Sequence, residues 1–150
     1  MREVKFRAWD EDSKTMVYQY DNGDEYCWQI GAEEIWVENI REDYILKNKL
    51  MQYTGLKDKN GVEIYERDID QGDNGEISVI VYLKKAGSYC VMPLDIYLND
   101  DYQDENYFPE LLYNFGYDCT FDNQTPEKYL NIVGNIFESG EILNDSKNPE

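Results

Sequence analysis

The side chains that could do chemistry in this sequence are carboxylates and tyrosines, because the chain contains no histidine. Without histidine it lacks the commonest general base, the usual activator of a serine or cysteine nucleophile, and the commonest metal ligand. Cys27, Cys90 and Cys119 have no C-x-x-C spacing. They predict buried free thiols rather than a zinc site or a disulfide framework. An enzyme built from this chain would have to use carboxylates, lysines or tyrosines alone.

Two acidic motifs could hold a cation or share acid–base work. They are DKNG at residues 58–61 and ERDID at residues 66–70. Neither supplies the order of oxygen ligands, glycine and bidentate glutamate that a calcium-binding EF-hand loop needs. The carboxylates of the second motif, which flank Arg67, could divide acid and base roles. No further acidic motif and no substrate pocket is visible in the sequence to complete such a site, so the patterns favour a turn at residues 58–61 and a solvated loop or local ion pair at residues 66–70.

The most informative stretch is residues 86–127, the acidic tyrosine-rich segment, which contains nine acidic and nine aromatic side chains and no lysine or arginine. Carboxylates steer the encounter with a basic protein, and tyrosine rings supply contact area, so the segment predicts a partner-binding surface. In the alternative interpretation, the aromatic rings belong to the core and the acids to a solvated outer face. The candidate contact residues are Asp95, Asp100, Asp101, Tyr102, Asp104, Glu105, Tyr107, Tyr113 and Tyr117.

The distribution of charge narrows the class of partner. The formal net charge is −18, from 32 acidic and 14 basic residues. Residues 1–85 hold 12 basic and 19 acidic residues, a net charge of −7; residues 86–150 hold 2 and 13, a net charge of −11. This charge repels phosphate backbones and anionic membrane surfaces, which disfavours direct nucleic-acid or membrane binding. A high negative charge also keeps a protein soluble, with no partner implied.

Length and hydropathy predict a soluble cytoplasmic protein. At 150 residues the chain predicts one domain, which we expect to cover residues 1–143, with a polar, frayed tail at residues 144–150. Residues 1–30 contain no signal-peptide core, and no apolar run approaches the ~20 residues of a membrane-spanning helix. No cofactor or metal ion is predicted.

Alternating apolar residues and turn signals predict a mainly β fold. Residues 70–75 are predicted to form a polar loop, and a short helix is predicted near residues 109–115, where Pro109 suits a first helical position. Trp9, Met51 and Tyr65 are predicted core residues. The predicted strands are residues 2–9, 15–20, 35–40, 51–54, 62–65, 76–83, 89–92 and 130–137. Such short strands at close spacing favour a small barrel or roll built from hairpins, with at most one or two short helices.

Three blocks of this sequence resemble the YopX family of phage and prophage proteins. They are REVKFRAWD at residues 2–10, LMQYTGLKDKNG at residues 50–61 with EIYERDI at residues 63–69, and IVGNIFE at residues 132–138. The resemblance covers about a quarter of the residues but brackets nearly the whole chain. It implies a β-rich fold with an SH3-like barrel or roll, an origin in a phage or prophage, and the bacterial cytoplasm as location. It implies no activity and offers no catalytic residues.

The sequence departs from the family pattern at two places. Arg67 stands where the family's YEGD turn has glycine, so this turn must form without glycine's conformational freedom or bend differently. Residues 139–143, SGEIL, replace the family's NPELL ending. Residues 75–125 follow the family only loosely.

Three functions remain open from the sequence. The first, which we favour, is a non-enzymatic module that binds a basic host or phage protein and in its sharpest form imitates the charge of DNA. The second is a small enzyme that uses carboxylates, with or without Mg²⁺. The third is a structural component that forms a homo-oligomer.

Overall fold

The computed structural model of the chain describes residues 3–19, 25–30, 35–42, 44–46, 50–83, 88–98, 130–141 and 143. These residues form antiparallel sheets, a curled half-barrel and one short helix, which confirms the predicted mainly β fold. The chain divides into two compact units, Met1–Tyr53 and Thr54–Glu150. None of the described helical residues form a helix long and apolar enough to cross a membrane.

The first unit contains two small antiparallel sheets. In one sheet β1 pairs with β2 on one side and with the first residues of β6 on the other. In the second sheet β4 lies between β3 and β5. The strands are β1 (Phe6–Asp10), β2 (Thr15–Tyr18), β3 (Tyr26–Ile30), β4 (Ile35–Asn39), β5 (Tyr44–Leu46) and β6 (Leu50–Lys57), whose last four residues belong to the second unit.

The core of the first unit forms where the two sheets face each other. Alternate positions of a strand point to one face, and the apolar ones among them meet in one cluster. Its centre consists of Ala8 from β1, Val17 from β2 and Val37 from β4, all buried. Half-buried hydrophobic side chains surround this centre, namely Tyr26, Trp28, Leu46 and Leu50. The predicted N-terminal hairpin and the predicted strand at residues 35–40 are both confirmed.

The second unit is built on a four-stranded antiparallel sheet with the order β10-β9-β8-β11. Before the strands of this sheet in the sequence, β7 pairs with the second half of β6 to form the predicted hairpin. Gly61 occupies the left-handed region of that turn with φ +81°, where glycine has no steric penalty. The elements are β7 (Glu63–Tyr65), β8 (Asp68–Gln71), β9 (Ile77–Leu83), β10 (Ser88–Pro93), α1 (Leu94–Leu98) and β11 (Ile132–Asn135).

Two apolar clusters stabilise the second unit. The larger joins β9, β10 and the start of α1, and consists of Val79, Val81, Leu83, Cys90, Met92 and Leu94. The smaller joins Ile64 of β7, Ile80 of β9 and Leu130 just before β11. Each Val, Leu, Ile or Met side chain among them contributes about 1.5–3 kcal/mol when fully buried. The predicted core residues Trp9, Met51 and Tyr65 are 4%, 0% and 2% exposed in their respective units, as expected.

Three local predictions are wrong or lie outside the described residues. Residues 70 and 71 belong to β8 rather than to a polar loop, because Gln71 N donates to the backbone oxygen of Asn131 at 3.0 Å. A helix that the sequence did not predict forms at Leu94–Leu98, and the helix predicted near residues 109–115 lies outside the described part of the chain. Cys90 is buried as predicted, Cys27 is half-buried, and Cys119 falls outside the described residues.

Candidate functional site

The acidic tyrosine-rich segment begins in the second unit on β10 and α1. Asp95 is exposed on α1, while the neighbouring Leu94 is buried and Tyr97 is half-buried against the larger apolar cluster. Tyr89, at the start of the segment, is buried. The other candidate contact residues, Asp100, Asp101, Tyr102, Asp104, Glu105, Tyr107, Tyr113 and Tyr117, lie outside the described residues. In this first part of the segment, the aromatic rings point inward and the carboxylate points to solvent.

Two of the three carboxylates of residues 66–70 are structural, and the prediction of a solvated loop is wrong for these two. Asp68 is 2% exposed, and its Oδ2 accepts a hydrogen bond from Tyr65 N at 2.8 Å. Asp70 is 7% exposed, and its Oδ1 accepts from Asn131 N at 2.7 Å. Burial raises the pKa of Asp70 from its usual value, while this hydrogen bond and the charge of Lys59 act to lower it. Both carboxylates therefore satisfy backbone donors that β-pairing leaves over.

Asp58 performs the same task at the turn between β6 and β7. Its Oδ1 accepts hydrogen bonds from Asn60 N at 2.8 Å and Val62 N at 2.9 Å. Its Oδ2 accepts from Ile132 N at 2.9 Å. A carboxylate with three backbone donors has little remaining capacity to ligate a cation, so the structural interpretation of residues 58–61 is supported.

Arg67 has a backbone conformation that ordinarily favours glycine. Its φ is +67°, in the left-handed region that side chains other than glycine rarely adopt. Arg67 N donates to Ile80 O at 2.8 Å, and Arg67 O accepts from Ile136 N at 3.0 Å. The turn connects β7 to β8, and these two bonds attach it to β9 on one side and to the residue after β11 on the other. The guanidinium carbon lies 5.9 Å from the ring centre of Phe137. The turn therefore forms with a residue other than glycine in the left-handed region.

In the first unit, Asp10 is the acceptor at the centre of a polar cluster. Asp10 is 1% exposed, and its Oδ2 accepts from the hydroxyl groups of Tyr26 at 2.6 Å and Tyr44 at 2.5 Å. Asn39 Nδ2 donates to the same oxygen at 3.4 Å and to the Tyr44 hydroxyl at 3.0 Å. The other oxygen, Oδ1, accepts from the backbone amides of Asp12 at 3.1 Å and Ser13 at 3.3 Å.

These contacts shift the pKa values of all three ionisable partners. Burial acts to raise the pKa of Asp10, but the hydrogen bonds from Tyr26, Tyr44 and Ser13 outweigh it and lower the pKa to about 2. Burial and the hydrogen bond to Asp10 raise the pKa of Tyr26 to about 12. The same two causes raise the pKa of Tyr44 to about 12. At neutral pH the cluster therefore consists of one carboxylate and two neutral phenols.

A small cleft of about 150 Å³ opens beside this cluster. Trp9 Nε1 donates to Glu11 Oε2 at 2.7 Å, and the Lys14 ammonium pairs with the other oxygen of Glu11. Asp10 and Glu11 are both already bound to hydrogen-bond donors, so these carboxylates have little remaining capacity to ligate a metal ion. The cleft is lined by Trp9, Asp10, Glu11, Asp12, Tyr44, Ile45 and Leu46.

Sequence patterns did not reveal this cluster. Residues 10–13 lie between the predicted strands 2–9 and 15–20, and the local signal there is an aspartate at the first turn position, which commonly accepts a hydrogen bond from the backbone two residues later. Tyr26, Asn39 and Tyr44 come from three strands of the other sheet in the unit. Among the described residues, no group of three or more Cys, Asp or Glu side chains is arranged to hold a metal ion.

Comparison with known proteins identifies the family. The family model described as "YopX protein" matches residues 5–144. The chain belongs to the YopX family. A comparison with curated proteins finds no match.

A solved structure supports the fold of this YopX-family chain. This chain is similar to the crystal structure of protein EF1440 from Enterococcus faecalis, with 23% sequence identity and a TM-score of 0.51. The match covers 95% of this chain and 99% of that protein. At this level of identity the similarity concerns the fold alone and indicates no molecular activity.

Proposed function

We propose that this YopX-family protein is a non-enzymatic binding module, encoded by a phage or prophage, that binds a basic host or phage protein in the bacterial cytoplasm. The contact surface is the acidic tyrosine-rich segment. The observation that carries the proposal is the composition of this segment: nine acidic and nine aromatic side chains without one lysine or arginine. No cofactor is needed for this function.

Charge and ring chemistry explain how such a segment binds. A net charge of −11 after residue 85 attracts a basic protein over about a Debye length, ~8 Å at physiological salt. Tyrosine rings then bury apolar area at low entropic cost, and their hydroxyl groups bond to the partner. Asp95, the one candidate position that the structure describes, is exposed and therefore accessible to a partner.

The proposed partner is a protein that itself binds nucleic acid. The carboxylates of this segment carry the same sign of charge as a phosphate backbone, so a nucleic-acid-binding surface would accept them. Direct binding of DNA or RNA by this chain is unfavourable for the same electrostatic reason. The proposal therefore predicts that added DNA competes with this protein for the captured partner.

The structural roles of the described carboxylates favour binding over catalysis. Asp58, Asp68 and Asp70 accept hydrogen bonds from backbone amides, and Asp10 accepts from two phenols and an amide side chain. A general acid or base needs a free position for a substrate proton. Asp68 and Asp70, two of the three acids that the sequence suggests as an acid–base group, thus accept hydrogen bonds that hold strands in place.

Capture from a bacterial lysate tests the proposal. The tagged protein should retain basic proteins at low salt and release them as the salt concentration rises. A variant with Asp100→Asn, Asp101→Asn, Asp104→Asn and Glu105→Gln should retain much less. Capture that is unaffected by these four substitutions would contradict the proposed surface.

Two further measurements separate this function from the alternatives. A metal-dependent enzyme gains thermal stability when Mg²⁺ is titrated, because a ligand that binds the native state raises its apparent stability. A structural homo-oligomer sediments as a defined assembly larger than one chain. The proposal predicts no Mg²⁺-dependent shift and no need for self-association in partner binding.

A further inference from the structure

Two asparagine–glycine pairs in the second unit are held differently, although their backbones are alike. Asn60–Gly61 lies in the turn between β6 and β7, and Asn74–Gly75 in the turn between β8 and β9. Both glycines are left-handed, with φ +81° and +84°. Both glycine amides donate to the backbone oxygen three residues earlier, Gly61 N to Asp58 O at 3.0 Å and Gly75 N to Gly72 O at 2.9 Å.

The difference lies in the asparagine side chains. Asn60 Nδ2 donates to the side-chain oxygen of Asn131 at 3.0 Å, and its backbone N donates to Asp58 Oδ1. Asn74 is exposed, and its side chain makes no hydrogen bond within the described part of the chain. No side chain restrains the Asn74 amide, whereas the Asn60 amide must break a bond before it can rotate.

We infer that Asn74 is a site of spontaneous covalent modification, in which its amide is lost and a new carboxylate forms in the β8–β9 turn. The backbone nitrogen of Gly75 attacks Cγ of Asn74 and forms a five-membered imide. The nitrogen loses its proton, and the side-chain nitrogen leaves as ammonia. Water then opens the imide at either carbonyl, which yields aspartate or its β-linked isomer. Glycine permits the reaction because no side chain obstructs the attacking nitrogen.

The modification changes the turn physically. Each event adds one negative charge between Asp73 and Glu76, which are both exposed. The β-linked isomer also inserts an extra backbone atom between β8 and β9. Asn60 is protected from the same reaction by its bond to Asn131.

Peptide mapping of the folded protein tests this inference. The whole protein is incubated at mildly alkaline pH, digested with trypsin and analysed by mass spectrometry. Cleavage after Lys59, Arg67 and Lys84 places the two pairs on separate peptides. Asn74 should be converted about fivefold faster than Asn60, the factor that one side-chain hydrogen bond of ~1 kcal/mol gives in a rate. In denaturant the two rates should converge.

The variant Asn131→Ala provides the matched control. It removes the acceptor of the Asn60 amide but keeps the backbone bonds of residue 131 to Asp70 and Gln71. The Asn60 rate should rise toward that of Asn74, which itself should not change. Equal rates in the folded wild-type protein, or a folded Asn131→Ala variant with an unchanged Asn60 rate, would overturn the inference.

Discussion

The carboxylate of Asp58 accepts a hydrogen bond from the backbone amide of Ile132 at 2.9 Å, although 74 residues separate the two positions. The same side chain accepts from two amides of its own turn. Lys59 N also donates to Leu130 O at 3.0 Å, next to this contact. One turn of the second unit thus orders the hairpin of β6 and β7 and fixes the start of the closing strand, β11.

The substitution Asp58→Ala should therefore destabilise the protein strongly. It leaves three backbone amides without their acceptor, and such losses lower the free energy of unfolding by about 3 kcal/mol in total. Asp58→Asn keeps one oxygen acceptor and should lower it by about half as much. Urea unfolding measures both values. The control Asp73→Ala, at a side chain that is 99% exposed, should change stability by less than ~0.5 kcal/mol. An Asp58→Ala midpoint equal to that of this control would contradict the role assigned to Asp58.

Arg67 should be replaceable by glycine with less loss than by alanine. Both variants lose the guanidinium near Phe137, but only alanine keeps a side chain at φ +67°. A left-handed conformation disfavours an L-residue by ~1–2 kcal/mol, partly offset by the greater entropy of unfolded glycine. Arg67→Gly should therefore unfold with a free energy about 1 kcal/mol higher than Arg67→Ala. At exposed Lys57 in β6 the order should reverse, since glycine weakens a strand. Equal stability of the two Arg67 variants would disprove the strain.

Gly134 should resist substitution because Ser139 occupies the space beside it. A Cβ built on Gly134 would lie 1.9 Å from Ser139 Oγ and 2.9 Å from Ser139 Cβ. Gly134→Ala should lower the free energy of unfolding by ~1–3 kcal/mol, as overpacking does. Ser139→Gly in the same chain should restore most of the loss, whereas Ser139→Ala should restore less because its Cβ remains. A double-mutant cycle reads the coupling directly, and strictly additive effects would contradict the contact.

The Asp10 cluster should make stability sensitive to pH at both extremes. The pKa of Asp10 is lowered from 3.8 to about 2 in the folded protein, so its stabilising effect is complete above pH 3.8 and disappears as the pH falls toward 2. The pKa values of Tyr26 and Tyr44 are raised from 10.0 to about 12, so their effect is complete below pH 10.0 and disappears as the pH rises toward 12.

Variants of the cluster separate its effect from that of the other ionisable groups. The stability difference between wild type and Asp10→Asn should shrink as the pH falls from 3.8 to about 2. The difference between wild type and Tyr26→Phe should shrink between pH 10.0 and about 12. Unfolding by urea at each pH gives these differences. A difference that stays constant through either window would show that the hydrogen bonds do not shift the pKa values.

Local turn chemistry made the hairpins predictable, and long-range contacts limited the rest. The DKNG turn is specified by its own residues, because Gly61 takes the left-handed position and Asp58 accepts hydrogen bonds from the nearby backbone amides. Asp70 was misassigned to a loop because its burial depends on Asn131, 61 residues later. The helix α1 was missed because five residues give no helical periodicity, and its position depends on Leu94 packing against β9 and β10.

The polar cluster of the first unit could not be found from the sequence for a related reason. Asp10 meets Tyr26 and Tyr44, which lie 16 and 34 residues away on strands of another sheet. Aspartate in a turn is common, and nothing local distinguishes one that is buried among phenols. The acidic tyrosine-rich segment was visible because composition alone defines it. Its proposed role therefore rests on charge and residue type more than on geometry.

The measurement that tests the proposed function most directly is partner capture as a function of salt, with two charge-matched variants. One variant neutralises Asp100, Asp101, Asp104 and Glu105; the other neutralises four exposed acids outside the segment, Glu42, Asp73, Glu76 and Glu138. Both variants raise the net charge by the same amount, so a general effect of charge would weaken partner capture equally in both. The proposed surface predicts that only the first loses salt-sensitive capture of basic proteins. Equal loss in both variants, or capture that no salt concentration changes, would contradict it.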